Sequence, residues 1–325
     1  MILYVQEQGA VLQRRGDNIE IRQKGDLLYR APIIGISRVV VIGYIQVTTQ
    51  AIHVLARQGI DVVYLTANQR NVCTMYSNKT DNVFLRLAQM QRFEDKAYRL
   101  QFAKQIADGK LMRQKEVICA HKWNSSFDWR NQINNIMELQ SSLPKRETLE
   151  EVRGVEGSAS RAYFACFAEM LTKLSFGGRT RRPAKDEVNA LLNLGYTMLC
   201  NECTALLDAC GLDSAIGFMH GVVYGRKSLA LDFMEVFRAD VVDRLVLRLV
   251  NWGMIGQADF KKDEKIGYRL NPEGFKTFIT QYERHMEHKP HNESQSLREV
   301  IKEETQRLRY AVLNGTLFQP WDGDV

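Results

Sequence analysis

Residues 82–107, NVFLRLAQMQRFEDKAYRLQFAKQIA, decide how the chain divides. Val83, Phe84, Leu87, Met90, Phe93, Tyr98 and Phe102 recur at the spacing of one helix face and predict a long amphipathic helix. Upstream the pattern is different. ILYVQ (2–6), IEIRQ (19–23), LLYRAPI (27–33), RVVVIGY (38–44) and IDVVYLT (60–66) are short β-rich runs separated by turns such as Gly16-Asp17 and Gly25-Asp26. One helix interrupts them, capped by Thr48 or Thr49, with Ile52, Leu55 and Ala56 on its apolar face and Gly59 at its end. A mostly antiparallel sheet is expected there. Downstream, helical patterns cover roughly 110–140, 155–174, 186–210, 228–253 and 294–314, with Gly211 and Gly315 at expected C-caps and Ser228 at an expected N-cap. The fold class is therefore α+β. A small N-terminal β-sheet domain with one helix (1–80) precedes a larger all-α domain (81–325), the expected seat of any catalysis.

The 325 residues are 45% apolar and 25% charged, which excludes a disordered or collagen-like chain. Forty-four Lys and Arg against 38 Asp and Glu leave a net charge of +6, which permits a polyanionic partner without requiring one. The longest apolar run, VVVIGYIQV (39–47), is too short for a membrane span. The first residues lack a signal-peptide pattern, so the expected location is cytoplasmic, with no membrane partner. Among the six cysteines, Cys200-x-x-Cys203 lacks a matching second pair and lies on an apolar helical stripe, so it reads as core rather than zinc site.

Chemistry gathers in three places. Asp232 and Glu235 are three apart on the predicted helix after Ser228 and interrupt an apolar run, while His220 stands in the preceding loop. Buried carboxylates want a cation, and an imidazole beside them adds a nitrogen ligand. Glu156 lies in Gly154-Val155-Glu156-Gly157-Ser158, near the start of another helix, among small residues that allow close approach. Two carboxylates and a histidine on separate elements suit Mg²⁺ or Mn²⁺. The third place is basic: Arg179, Arg181, Arg182 and Lys185 precede the 186–210 helix, and Arg226 and Lys227 follow His220. Arginine forks match phosphate oxygens, so the combination points to phosphoryl transfer on a phosphodiester. A solvated face of acids around a loop histidine is the plainer alternative. A non-catalytic DNA-binding protein and a metallohydrolase of a small phosphorylated molecule also remain open.

Four segments, EGSASRAYF (156–164), RTRRPAKDEVNALLNLGYTML (179–199), GFMH (217–220) and SLALDFMEVFR (228–238), resemble the CRISPR-associated adaptation endonuclease/integrase family, CRISPR-associated protein one. QVTTQAIHVLARQGIDVVYL (46–65) resembles it as well. The resemblance implies metal ligands at Glu156, His220 and Glu235, with Asp232 assisting or orienting. It implies a homodimer that joins CRISPR-associated protein two and inserts double-stranded DNA fragments (spacers) into a repeat array by transesterification. The same site would nick or hydrolyse branched DNA. Val223-Tyr224 stands where the family often carries Arg-Pro, and Ala184 and Ala239 replace common prolines.

Other polar clusters read as structural. His285, His288 and His291 diverge on a helix and Pro290 would break one, so 283–293 is expected to be an exposed linker. Asp240 and Asp243 alternate with Arg238 and Arg244 as a salt-bridged surface would. His53 and Tyr163 are expected to pack. No Walker-type phosphate loop occurs, which argues against an NTPase.

Overall fold

The computed structural model of the chain describes residues 1–66, 71–75, 82–121, 127–180, 183–263, 267–289 and 295–323. It divides into two compact units, Met1–Asp81 with Asp208–Gly211, and Asn82–Leu207 with Leu212–Val325.

The first unit contains two four-stranded sheets. Strands β2 (Val11–Arg15), β3 (Asn18–Gln23) and β4 (Asp26–Pro32) form an antiparallel meander, and β6 (Gln46–Val47) joins β2 in parallel. In the second sheet β1 (Ile2–Val5), β5 (Arg38–Ile42) and β7 (Asp61–Leu65) run parallel, and β8 (Asn71–Met75) closes the edge antiparallel to β7. The expected mostly antiparallel sheet is thus half correct. Parallel neighbours need a long crossover, and helix α1 (Thr49–Arg57) supplies the one between β5 and β7. Thr48 caps α1 by accepting from the Ala51 amide, and Gly59 leaves it at φ +74°. Leu12, Ile19, Val39, Val41, Leu55 and Val62 form the centre of this unit's core. His53, expected to pack, is exposed on α1.

The second unit begins with a break where one long helix was expected. Helix α2 (Val83–Glu94) ends at Asp95, whose Oδ1 accepts from the amides of Ala97 and Tyr98 and so starts helix α3 (Lys96–His121). An aspartate competing for backbone amides favours a cap over a continuous helix. Helices α4 (Trp129–Ser142) and α5 (Leu149–Met170) pack against α3, and α6 (Glu187–Ala209) follows. Asp186 caps α6 through the Asn189 amide.

The 228–253 pattern is not one helix. It divides into α7 (Ser228–Met234), a wide π-turn over Ala239–Asp243, and α8 (Arg244–Asn251). Ser228 does not cap α7; its hydroxyl donates to the Gly221 carbonyl instead. Asp240 and Asp243 lie within the π-turn and point inward, 4% and 1% exposed, rather than onto a salt-bridged surface. Arg113 and Arg244 neutralise Asp240, while the hydroxyls of Tyr163 and Tyr196 donate to Asp243. Tyr163 is core, as expected.

The larger unit also contains a β-hairpin, β9 (Phe260–Asp263) with β10 (Gly267–Leu270), then α9 (Pro272–Glu287) and α10 (Leu297–Asn314). Gly315 ends α10 at φ +71°. The expected linker is in part the last turns of α9. His285 is half-buried there, and its Nε2 donates to the Asp240 carbonyl at 2.7 Å; His288 is exposed, and His291 lies outside the described residues. Burial, aided by Arg248 and Arg244, holds the His285 imidazole down to about 4. The unfolded chain therefore takes up this proton first as pH falls, and the associated stability, complete above about pH 6.5, is lost towards pH 4. At about 1.4 kcal/mol per pKa unit the loss is at most about 3 kcal/mol, less for the water that still reaches the ring. Urea unfolding at pH 7.0 and 4.5 should show this decline in the wild type and a flatter one in His285→Gln; parallel declines would remove His285 as the cause.

Candidate active site

Helices α3, α5 and α6, the end of α7, the π-turn and the loops that carry residues 176–179 and His220 line a cavity of about 740 Å³ in the larger unit. Lys110 of α3, Glu156 of α5, His220 of the loop and Glu235, at the end of α7, all open onto it. The Lys110 ammonium stands between the two glutamates, paired with Glu156 Oε1 and 2.7 Å from Glu235 Oε2. Oxygens that share one nitrogen lie no more than about 6 Å apart, so residues 79 positions apart in sequence converge.

Each carboxylate has a second support. Ser160 Oγ donates to Glu156 Oε1 at 2.9 Å, and Arg238 Nη1 donates to Glu235 Oε1 at 2.7 Å. The Arg238 guanidinium lies 4.0 Å over the Tyr196 ring, which fixes its plane. Burial alone would raise the Glu235 carboxyl, but Arg238 and Lys110 outweigh it and hold the group down to about 2. Glu235 Oε2 is buried and, despite the nearby ammonium, receives no directional hydrogen bond. Gly157 in α5 faces open space, where an added Cβ would meet nothing within 4 Å.

Asp232 is fully buried and turned away from the glutamates. Its Oδ2 accepts from the amides of Phe218 and Met219 at 2.7 and 2.8 Å, and its Oδ1 from the His220 amide at 2.9 Å. His220 Nδ1 donates to the same Oδ1 at 2.5 Å, which leaves Nε2 as the nitrogen available to a ligand. Gly217 is required here, because a Cβ would stand 2.8 Å from Asp232 Oδ2 and 2.7 Å from the Ser228 backbone.

The loop's other face is held by residues that sequence reasoning missed. Gln89 of α2 donates to the carbonyls of Asp213 and Ile216, Arg99 of α3 to Phe218, and Arg153 of α5 to Met219. Lys110 and Arg238 were missed too. Their signal is a polar stripe at core spacing: Ile106, Lys110, Arg113, Gln114 and Val117 continue the buried face of α3.

The basic residues separate. Arg179 lines the cavity, donates to Asn189 and Asn193 of α6 and lies 5.2 Å over the Tyr196 ring. Lys185 and Lys227 are exposed. Arg226 is turned into its own loop, donating to Ser228 Oγ and the Gly221 carbonyl. Arg181 and Arg182 lie outside the described residues.

Among the described residues no three His, Cys, Asp or Glu side chains stand close enough to hold an ion as they are placed. The donor set still fits a hard divalent cation. Two carboxylates and one carboxylate-oriented imidazole surround the same space, and one buried oxygen there has only an ammonium for company. Also among the described residues, no helix is long and apolar enough to cross a membrane.

The cavity thus brings together two carboxylates, an imidazole and several held cations. The family model described as CRISPR associated protein Cas1 matches residues 3–284. A CRISPR-associated endonuclease Cas1 of Thermus thermophilus is 31% identical over 286 residues, which cover 87% of this chain and 83% of that protein. A Cas1 protein from Thermotoga maritima superimposes with a TM-score of 0.85 at 24% identity, covering 98% of this chain and 99% of the other. A casposase bound to integration product gives 0.86 at 24% identity, covering 99% and 94%; at that identity both structures speak to the fold alone. The chain belongs to the CRISPR-associated protein Cas1 family.

Proposed function

We propose that this chain is a divalent-metal-dependent DNA endonuclease and integrase that joins fragments to a CRISPR repeat array, with Glu156, Glu235 and His220 Nε2 as metal ligands. The observation that supports the reading is that Glu156 and Glu235 both pair with the Lys110 ammonium, a position already held by a cation, in a cavity that His220 also lines. Its relatives are named CRISPR-associated endonucleases, and a fold neighbour is a casposase bound to integration product.

A bound Mg²⁺ or Mn²⁺ would supply Lewis-acid stabilisation of charge on the phosphate and on the attacking and leaving oxygens. The protein's own groups do the rest. Glu156 and Glu235 provide the negative charge that selects a cation. Asp232 is a positioning residue: it keeps the proton on His220 Nδ1 and aims Nε2 into the cavity. Arg179, held by two asparagines and the Tyr196 ring, offers a fixed cation to a phosphate in the cavity. Arg181, Arg182, Lys185 and Lys227 extend the proposed DNA-binding surface, whereas Arg226 acts on the loop itself. Solved neighbours include complexes titled Cas6-RT-Cas1–Cas2, which supports a Cas2-like partner. The homodimer of the proposed working assembly rests on the family resemblance alone.

The test is strand transfer: a labelled duplex fragment with free 3′-hydroxyls, a repeat-bearing duplex, the partner protein, and Mg²⁺ or Mn²⁺. Covalent joining at the repeat boundary that stops in EDTA is expected; joining that persists in EDTA contradicts the reading. Asp232→Asn should weaken Mn²⁺ affinity by roughly 10- to 100-fold, because an amide cannot accept from the three loop amides and the imidazole equally well. Titration calorimetry checks this, and an unchanged affinity would leave Asp232 a purely structural residue.

A further inference from the structure

The loop from His220 to α7 carries an exposed apolar tip. Val222 and Val223 are 54% and 52% exposed, and Tyr224 is exposed completely. The Arg226 amide donates to the Val223 carbonyl at 3.0 Å, closing a β-turn with Tyr224 and Gly225 at its centre. Gly225 has φ +72°, the value a type II turn needs at its third position. The base of the loop is braced where Ser228 Oγ and the Arg226 guanidinium both donate to the Gly221 carbonyl. The aromatic ring is therefore offered to solvent on a fixed support, with the backbone below it anchored to the first turn of α7.

We propose that Tyr224 is a stacking platform for an unpaired nucleobase beside the phosphodiester bound at His220. This rests on the DNA-processing reading of the site. Four residues of chain keep Tyr224 within about 14 Å of His220, a span of a few nucleotides. Exposed Lys227 adjoins the tip and brings positive charge to the flanking backbone. An aromatic face takes any base, which suits an enzyme handling foreign fragments of arbitrary sequence. The adjoining valines add apolar surface beside the ring, as a wedge against a base pair would require. Integration and its reversal pass through branched DNA, where bases at the junction are unstacked and available.

The experiment is a double-mutant cycle using the full-length chain and a branched duplex, with affinity read by fluorescence anisotropy in EDTA so that no strand is cut. One partner change is Tyr224→Ala; the other is an abasic nucleotide next to the branch. Either change alone should weaken binding roughly ten-fold, and the two together should weaken it no further. Tyr224→Trp should bind like wild type. The salt slope should be the same in wild type and Tyr224→Ala, because no phosphate contact is lost. An equal loss caused by Tyr224→Ala on intact and on abasic DNA, or no loss on either, would overturn the proposal. So would a Tyr224→Ala variant that binds DNA normally but fails to assemble with its small protein partner. A wild-type chain that neither binds branched DNA in EDTA nor cuts it with Mn²⁺ would instead remove the underlying reading.

Discussion

Glu235→Gln should lose metal-dependent DNA cleavage and joining by on the order of 10³-fold while still binding DNA. The substitution keeps the side chain's shape but removes the charge that Arg238 and Lys110 stabilise so strongly that the carboxyl is held down to about 2. Because that group is ionised throughout the ordinary pH range, its contribution to activity should not titrate above about pH 4. An amide in its place is a poor ligand for a hard cation. DNA affinity should hold or rise slightly, since one negative charge leaves the cavity proposed to take a phosphate. Gel-shift binding alongside a cleavage time course separates the two effects. If cleavage survives at wild-type rate, Glu235 is not a ligand and the acids serve only to hold the helices.

Lys110→Met should have the largest effect on the metal-free protein. The Lys110 and Glu235 side chains are 7% and 8% exposed, and Glu156 is 21% exposed, so removing the ammonium leaves two nearby carboxylates repelling in a poorly solvated space. Removing one partner of a buried pair costs about 3–5 kcal/mol. The melting transition of the helical unit should fall by roughly 6–20 °C. Mn²⁺ should then raise the melting temperature more in Lys110→Met than in wild type, because in wild type the incoming ion must first displace the ammonium. Differential scanning calorimetry with and without Mn²⁺ measures both. A variant as stable as wild type, or one that Mn²⁺ rescues no better, would mean that the ammonium does not occupy the ion's place.

These two results bear on what could be read from sequence. Glu156, His220 and Glu235 were legible because each is a polar residue in small or apolar surroundings, where a charge needs a reason. Asp232 was visible in the residues as an acid, and the resemblance implied that it assists or orients; its grip on the His220 loop was not readable. Its partners are backbone amides of the same loop, and backbone groups leave no sequence signature. Lys110 was hidden among 44 basic residues; only its helical phase with Ile106, Arg113 and Val117 marks it as inward-facing.

The fold was legible in a similar measure. β-rich runs followed by helical periodicity gave the order of the two units, since those signals are local. Strand direction was not local: β1, β5 and β7 align in parallel through connections that the alternation of side chains does not record. Helix α9 was not expected: Asn271 caps it and Pro272 stands in its first turn, but the polar histidine string at its other end reads as a linker. The π-turn over Ala239–Asp243 is a packing outcome, and with it went the expectation that Asp240 and Asp243 are surface residues.

The most direct test of the central claim is an anomalous-scattering map from a crystal soaked in Mn²⁺. One strong peak is expected about 2.0–2.4 Å from carboxylate oxygens of Glu156 and Glu235 and from Nε2 of His220, with the Lys110 ammonium moved aside. A cavity that holds no peak at saturating Mn²⁺, with Lys110 still bridging the two glutamates, would contradict it.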